Sequence, residues 1–263
     1  MKFIKMEALG NDYIYVDMED NVGLKPEDIR KLAPKICPRH TGVGGDGVIV
    51  LYRLDGKIET RIFNPDSSEA ENCGNGLRCV ARIAFDRGWT KGKKDFEIIL
   101  GKAKKHVHAY IKDDAVSINM GKAKSMNPEV LLHKESEINF IPVDMANPHA
   151  VVFVSDLNSI KVEEIGPIIE NDKRFPLRTN VEFVEVQSKN KIKLRVWERG
   201  VGETLACGSG ACASAYAAFS SGFCAQEVEV EMPGGTAFVS VKEDGAILLT
   251  GPVKYVFKGE LIS

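Results

Sequence analysis

The sequence predicts an α/β (α+β) fold of two pseudo-symmetric halves, each built of strands wrapped around one central helix. Three observations predict it: an internal repeat, a strand–turn–strand plan found in both copies, and a helical period following the same glycine motif in each. Sliding the chain by 134 positions lays residues 46–89 over 180–223 without a gap. Val50/Val184, Lys57/Lys191, Ile58/Ile192, Arg61/Arg195, Glu69/Glu203, Cys73/Cys207, Gly74/Gly208, Gly76/Gly210, Ala81/Ala215, Ala84/Ala218, Phe85/Phe219 and Gly88/Gly222 are then identical. Glu-x-x-x-Cys-Gly-x-Gly recurs in one register, and the offset is about half the chain. Two homologous halves explain this better than a solenoid of short repeats.

The first strand of each half is expected at 48–52 and 181–186. Turns at Asp55-Gly56 and Lys189-Asn190 lead into hairpin partners at 58–63 and 192–197, whose apolar residues alternate. After a polar loop comes Cys-Gly-x-Gly and then a helix. Leu77, Val80, Ala81, Ala84 and Phe85 follow the i, i+3, i+4, i+7, i+8 pattern of one buried face. Ala211, Ser214, Ala215, Ala218 and Phe219 repeat it with small residues, so strands can approach the second helix on several sides. Gly88 and Gly222 stand where C-terminal glycine caps belong. Lesser helices are expected from Pro26, with Ile29, Leu32, Ala33 and Ile36 inward, and over 162–171, with Ile165, Ile168 and Ile169 inward despite Pro167. Short strands follow at 107–111, 116–120, 227–232 and 237–241. The halves should meet near 112–118, giving domains of about 1–115 and 116–249, with a last strand within 250–263 returning to the first half.

The composition limits the partners. The 263 residues are 44 % hydrophobic and 27 % charged, with a net charge of −2, which suits a globular domain and excludes a disordered chain. That charge offers no basic field for phosphates, so no nucleic-acid partner is expected. The six lysines from Lys91 to Lys105 read as a solvated face. No apolar run suits a bilayer span, and Glu7 interrupts any signal-like start, so no membrane partner and a cytoplasmic location are expected. Cysteines 37, 73, 79, 207, 212 and 224 then read as reduced thiols. They contain no C-x-x-C pair, so no metal site is expected. Gly42-Val43-Gly44-Gly45-Asp46-Gly47 follows a polar segment and opens a strand, the reverse of a dinucleotide-binding loop, and reads as a turn.

A cysteine just before a helix feels the positive end of the helix dipole, which should lower its pKa. The glycines beside it let an anion reach free backbone N–H groups. Two such cysteines in like halves suggest two like groups acting on opposite faces of one substrate atom. Inverting a carbon without a cofactor needs that arrangement, one group removing a proton as the other supplies one. Fixed N–H dipoles would stabilise the carbanion beside the carboxylate. Cys37, Cys79, Cys212 and Cys224 lack this setting and read as small buried apolar residues.

These residues resemble the diaminopimelate epimerase family along nearly the whole chain. The resemblance rests on Gly10-Asn11-Asp12-Tyr13, the run from Arg39-His40 to Gly47, Asn64-Pro65-Asp66-Ser67-Ser68-Glu69 leading to Cys73-Gly74-Asn75-Gly76, Asn147-Pro148-His149, Thr179-Asn180-Val181-Glu182, and Glu198-Arg199-Gly200 leading to Ala206-Cys207-Gly208-Ser209-Gly210. It implies mostly antiparallel halves with the site in the cleft between them, no cofactor, a homodimer, and diaminopimelate as a small-molecule substrate in lysine and peptidoglycan precursor synthesis. Cys73 and Cys207 would be the acid/base thiols, with His149 and Glu198 influencing their protonation. Gly74-Asn75 and Gly208-Ser209 would hold the reacting carboxylate. Asn11, Asn64, Asn147, Asn180, Glu198 and Arg199 would bind the substrate's charged ends. Three positions depart from the family pattern: Ser67 replaces a usual glycine, Ser209 a common Thr, and Gly47 a Gln that some members use against substrate. Rival readings are a thiol hydrolase pairing one cysteine with His149, a non-catalytic amino-acid binder, and a proline or histidine racemase. The first two leave the second Cys-Gly-x-Gly without a purpose.

Overall fold

The computed structural model describes residues 1–70, 73–101, 104–134 and 136–262. The chain divides into two units, Met1–Ile118 with Gly251–Ser263, and Asn119–Thr250. The first opens with the hairpin β1 (Lys2–Ala8) and β2 (Asn11–Asp17), then α1 (Pro26–Ile36), the hairpin β3 (Gly47–Leu54) and β4 (Lys57–Phe63), and the short β5 (Glu69–Ala70). Helix α2 (Gly74–Asp86) and the meander β6 (Asp95–Leu100), β7 (Lys105–Lys112) and β8 (Ala115–Lys122) follow. The second unit carries β9 (Lys124–Ser125), β10 (Glu129–His133), β11 (Ser136–Asp144), β12 (Pro148–Val154), α3 (Val162–Glu170), β13 (Asn180–Ser188), β14 (Lys191–Glu198) and β15 (Gly202–Thr204). It continues through α4 (Gly208–Ser220), β16 (Glu227–Met232), β17 (Gly235–Val241) and β18 (Ala246–Pro252); β19 (Lys254–Glu260), again of the first unit, pairs antiparallel with β1.

Hairpins are antiparallel, and each helix carries a crossover between parallel strands. Helix α1 joins parallel β2 and β3, and α2 joins β4 and β6. In the second unit α3 joins β12 and β13, and α4 joins β14 and β16. Parallel neighbours need such a crossover because a tight turn cannot reverse the chain twice. Both faces of the central strands are thus covered, which is why Ile14, Val48, Ile49, Val50, Val181, Phe183 and Val184 are all buried. Val48 and Val50 join Ile29, Ala33 and Ile36 of α1 in one core cluster. Val181 and Phe183 join Val162 and Ile169 of α3 in its counterpart.

Those clusters correct the gapless repeat. Val50 pairs with Arg61 across the first hairpin, and Phe183, not Val184, pairs with Arg195 across the second. The first hairpin closes regularly on Asp55 and Gly56, both at positive φ. The second steps from Val186↔Ile192 to Ser188↔Lys191, so Gln187 is an extra, bulged residue. The offset of 134 therefore holds from the hairpin turn onward, and the strand before it is displaced by one. The Arg/Glu identities of the repeat are a shared bidentate ion pair. Arg61 donates from Nε and Nη2 to Glu69 at 2.9 and 2.6 Å, and Arg195 to Glu203 at 2.7 and 3.0 Å.

Candidate active site

In the first unit, Cys73 is the N-cap of α2, and its Sγ accepts from the Gly76 N–H at 3.3 Å. The thiol donates to Asn11 Oδ1 at 3.5 Å, and Asn11 Nδ2 donates to Asp46 Oδ2 at 2.6 Å. Asp46 and Asp12 share Arg39, which reaches Asp12 at 2.6 and 3.1 Å and Asp46 at 2.9 Å, while Lys5 also bonds Asp12. These cations hold the Asp12 carboxyl below its usual range against the opposing effect of burial. Residues 42–46 form an irregular loop that leads into β3 at Gly47. It brings Asp46 to Asn11 through the Asp46 N–H, which donates to Asp12 O at 2.7 Å. Gly76 stands where a Cβ would come within 2.5 Å of Ile49 Cδ1, so any side chain there must displace the end of Ile49. Gly74 and Asn75 form the first turn and are buried. Asn64 lies in the preceding loop and bonds Ser68 Oγ at 2.9 Å rather than the thiol.

The departures from the family pattern have local causes. Ser67 sits at φ 68°, the left-handed region that glycine favours, and its hydroxyl donates to Arg30 O at 3.0 Å. At Gly47 a Cβ would stand 2.5 Å from Phe63 O and 2.8 Å from Tyr13 Cε1, so no longer side chain fits there without movement.

In the second unit, Cys207 is the buried N-cap of α4, 3.6 Å from Ser209 Oγ. Gly208 and Ser209 form the first turn. The expectation of a lowered thiol pKa fails here. Burial, followed by the Glu198 and Glu182 carboxylates, pushes the Cys207 thiol well up, against the Gly210 N–H and Ser209 hydroxyl that favour the thiolate. Helix dipoles act over one turn and are modest; desolvation of a fully enclosed thiol outweighs them. Burial also raises Glu198, although the Thr204 hydroxyl, 2.6 Å away, and the Cys207 thiol both bond its carboxylate.

His149, on β12, lies beside Asn180 on parallel β13. Asn180 Nδ2 donates to Pro148 O at 3.2 Å, and its Oδ1 accepts from the Arg199 N–H at 3.0 Å. Asn147 Oδ1 is 3.1 Å from His149 Nε2. The exposed Arg199 side chain donates to Leu177 O at 3.0 Å and, among the described residues, forms no ion pair, with Glu198 or any other acid. Glu182, completely buried on β13, also reaches the site, although the resemblance implies no role for it. Its signal in the sequence is a carboxylate within the otherwise apolar run Val181-Glu182-Phe183-Val184. The remaining cysteines fit an inert role, burial holding Cys37 at about 11 and Cys79 at about 12.

Two α/β units, each with a cysteine capping a crossover helix, place the chain in a recognisable structural class. Its fold matches that of a Bacillus anthracis phenazine biosynthesis protein of the PhzF family with a TM-score of 0.76, at 18 % identity over 100 % of this chain and 99 % of that one. A hydroxyproline epimerase from Agrobacterium vitis, solved with trans-4-hydroxy-L-proline, gives 0.73 at 14 % identity, covering 98 % and 91 %. The family model described as diaminopimelate epimerase matches residues 3–126 and 141–256. Diaminopimelate epimerases of Leptospira biflexa and Methanococcus maripaludis are 41 % and 39 % identical over 99 % of both chains. The chain belongs to the diaminopimelate epimerase family.

Proposed function

We propose that the chain interconverts LL- and meso-diaminopimelate, the isomerase activity that serves lysine biosynthesis, with Cys73 and Cys207 as the paired acid and base. One thiolate takes the α-proton while the other thiol delivers its proton to the opposite face, and the roles exchange in reverse. No cofactor or metal enters the scheme. The backbone N–H groups of Gly74-Asn75 and Gly208-Ser209 hold the reacting carboxylate and spread the carbanion's charge. Asn11, Asn64, Asn147, Asn180, Glu198 and Arg199 bind the ammonium and carboxylate ends. The observation that carries this reading is that both cysteines cap crossover helices at equivalent places, each before Gly-x-Gly. A raised Cys207 thiol suits the member of the pair that is protonated at rest.

Deuterium should enter Cα of LL- and meso-diaminopimelate from solvent, and not that of proline or histidine. Cys73→Ala and Cys207→Ala should each abolish interconversion with the fold retained. Near wild-type turnover by either variant would end the two-thiol reading. Deuterium in proline instead would end the substrate assignment.

The reading extends to a cytoplasmic homodimer without nucleic-acid or membrane partners. No helix among the described residues is long and apolar enough to cross a membrane. Strand β19 leaves Tyr255, Val256 and Phe257 40 %, 51 % and 46 % exposed, a row suited to a second copy. Light scattering behind gel filtration should give twice the 28.9 kDa chain mass.

A further inference from the structure

Strand β13 places a carboxylate where the first unit has none. By the observed pairing, Glu182 stands opposite Val196 on β14 and beside Val151 on β12. The equivalent strand position in the first unit is Ile49, whose Cδ1 is the atom nearest to where a Gly76 Cβ would stand. In the second unit Glu182 Oε1 and Cγ hold that place against Gly210, 2.8 and 3.3 Å from where its Cβ would stand. The same Oε1 is 2.7 Å from His149 Nδ1, and both side chains are wholly buried. Oε2 has no hydrogen-bond partner among the described residues. A position filled by an aliphatic side chain in one unit thus holds, in the other, a carboxylate bonded to a buried imidazole.

We propose that Glu182 is a positioning residue of the reaction, fixing the His149 ring with a proton on Nδ1 and holding it as an imidazolium whose Nε2–H points at Asn147 Oδ1. This rests on the two-thiol reading above. The ring nitrogens face Glu182 Oε1 and Asn147 Oδ1, and the doubly protonated ring donates to both. The titratable groups around the ring are Glu182 from β13, Glu198 from β14 and Cys207 at the start of α4. Two carboxylates beside one thiol would oppose any developing thiolate at Cys207; a fixed imidazolium offsets one of them. Glu182 acts through His149 and touches neither substrate nor reacting atom.

The direct test is ring-nitrogen NMR of the wild-type protein, whose five histidines are assigned by His149→Asn. His149 should show both nitrogens protonated at pH 7. In Glu182→Gln, which keeps shape and acceptor but removes charge, the Nε2 proton signal seen in wild type at pH 7 should be lost. Turnover should fall about tenfold or more, with KM moved less than about threefold and the acid limb of the kcat profile displaced. A neutral His149 ring in wild type at pH 7 overturns the proposal. So does a folded Glu182→Gln with wild-type kcat and pH profile. The NMR result reads His149 whatever Cys73 and Cys207 do, so failure here is distinct from failure of the thiol assignment.

Discussion

Arg199 carries a permanent cation with no acid paired to it among the described residues, on a backbone pinned by Asn180. An exposed charge held only by a carbonyl gains little in the folded protein, so its removal should leave stability unchanged. Binding a carboxylate is worth more, about 2–5 kcal/mol for a charged hydrogen-bonded partner. Arg199→Met should therefore keep the wild-type melting temperature and lose about a hundredfold or more in kcat/KM on diaminopimelate, by steady-state assay. Glu198 behaves in the opposite sense. Burial raises its folded pKa, so the stability linked to its proton is present at low pH and declines as pH rises through that value. Glu198→Gln should melt a few degrees higher than wild type near neutral pH, that advantage shrinking on acidification, while activity collapses. Ser67 presents a third balance, a left-handed φ of 68° set against a hydroxyl bond to Arg30. Ser67→Ala keeps the strain and loses the bond, costing about 1 kcal/mol; Ser67→Gly relieves the strain as it loses the bond and should be near neutral by thermal melting.

At the scale of elements, the start of each cysteine-capped helix lies so close to the sheet that a methyl group there must displace a side chain. Gly76→Ala meets the end of the Ile49 side chain, which can rotate, and gains helix propensity of about 1 kcal/mol. Gly210→Ala meets a carboxylate already fastened to His149. By denaturant titration Gly210→Ala should be the more destabilising, by about 1–3 kcal/mol, and should lose more turnover. Much of this was legible beforehand. Helical period and glycine caps located α2 and α4, and the repeat located both cysteines, because these signals are local. The displaced strand was not legible, since one bulged residue changes no composition and only the pairing reveals it. The direction of the Cys207 shift was hidden too. A dipole is readable from position in a helix, whereas desolvation depends on neighbours supplied by β13 and β14.

For the whole molecule, the last strand matters most. β19 pairs with β1 from Lys2↔Glu260 to Glu7↔Lys254, and Leu261 exchanges bonds with Met1. Phe257 meets Phe3 edge-on, 5.9 Å between ring centroids, and the Tyr255 hydroxyl donates to Asp86 on α2 at 2.9 Å. Ending the chain at residue 252 would strip β1 of a neighbour and leave an open edge, the usual template for aggregation. Such a truncation should lower the melting temperature and raise light scattering on heating, whereas removing only residues 262–263 should do neither.

The single bulge at Gln187 also governs how the two halves could be recombined. A chimera joined in β3 or β13 by the numerical repeat would inherit a strand one residue out of phase. Residues meant for α1 or α3 would then face the cysteine-bearing helix, and the reverse. Junctions after the hairpin turn, between Lys57 and Gly74 or Lys191 and Gly208, preserve the phase. The duplication thus has one interchangeable segment, the stretch from hairpin to helix, and one that each half has made its own.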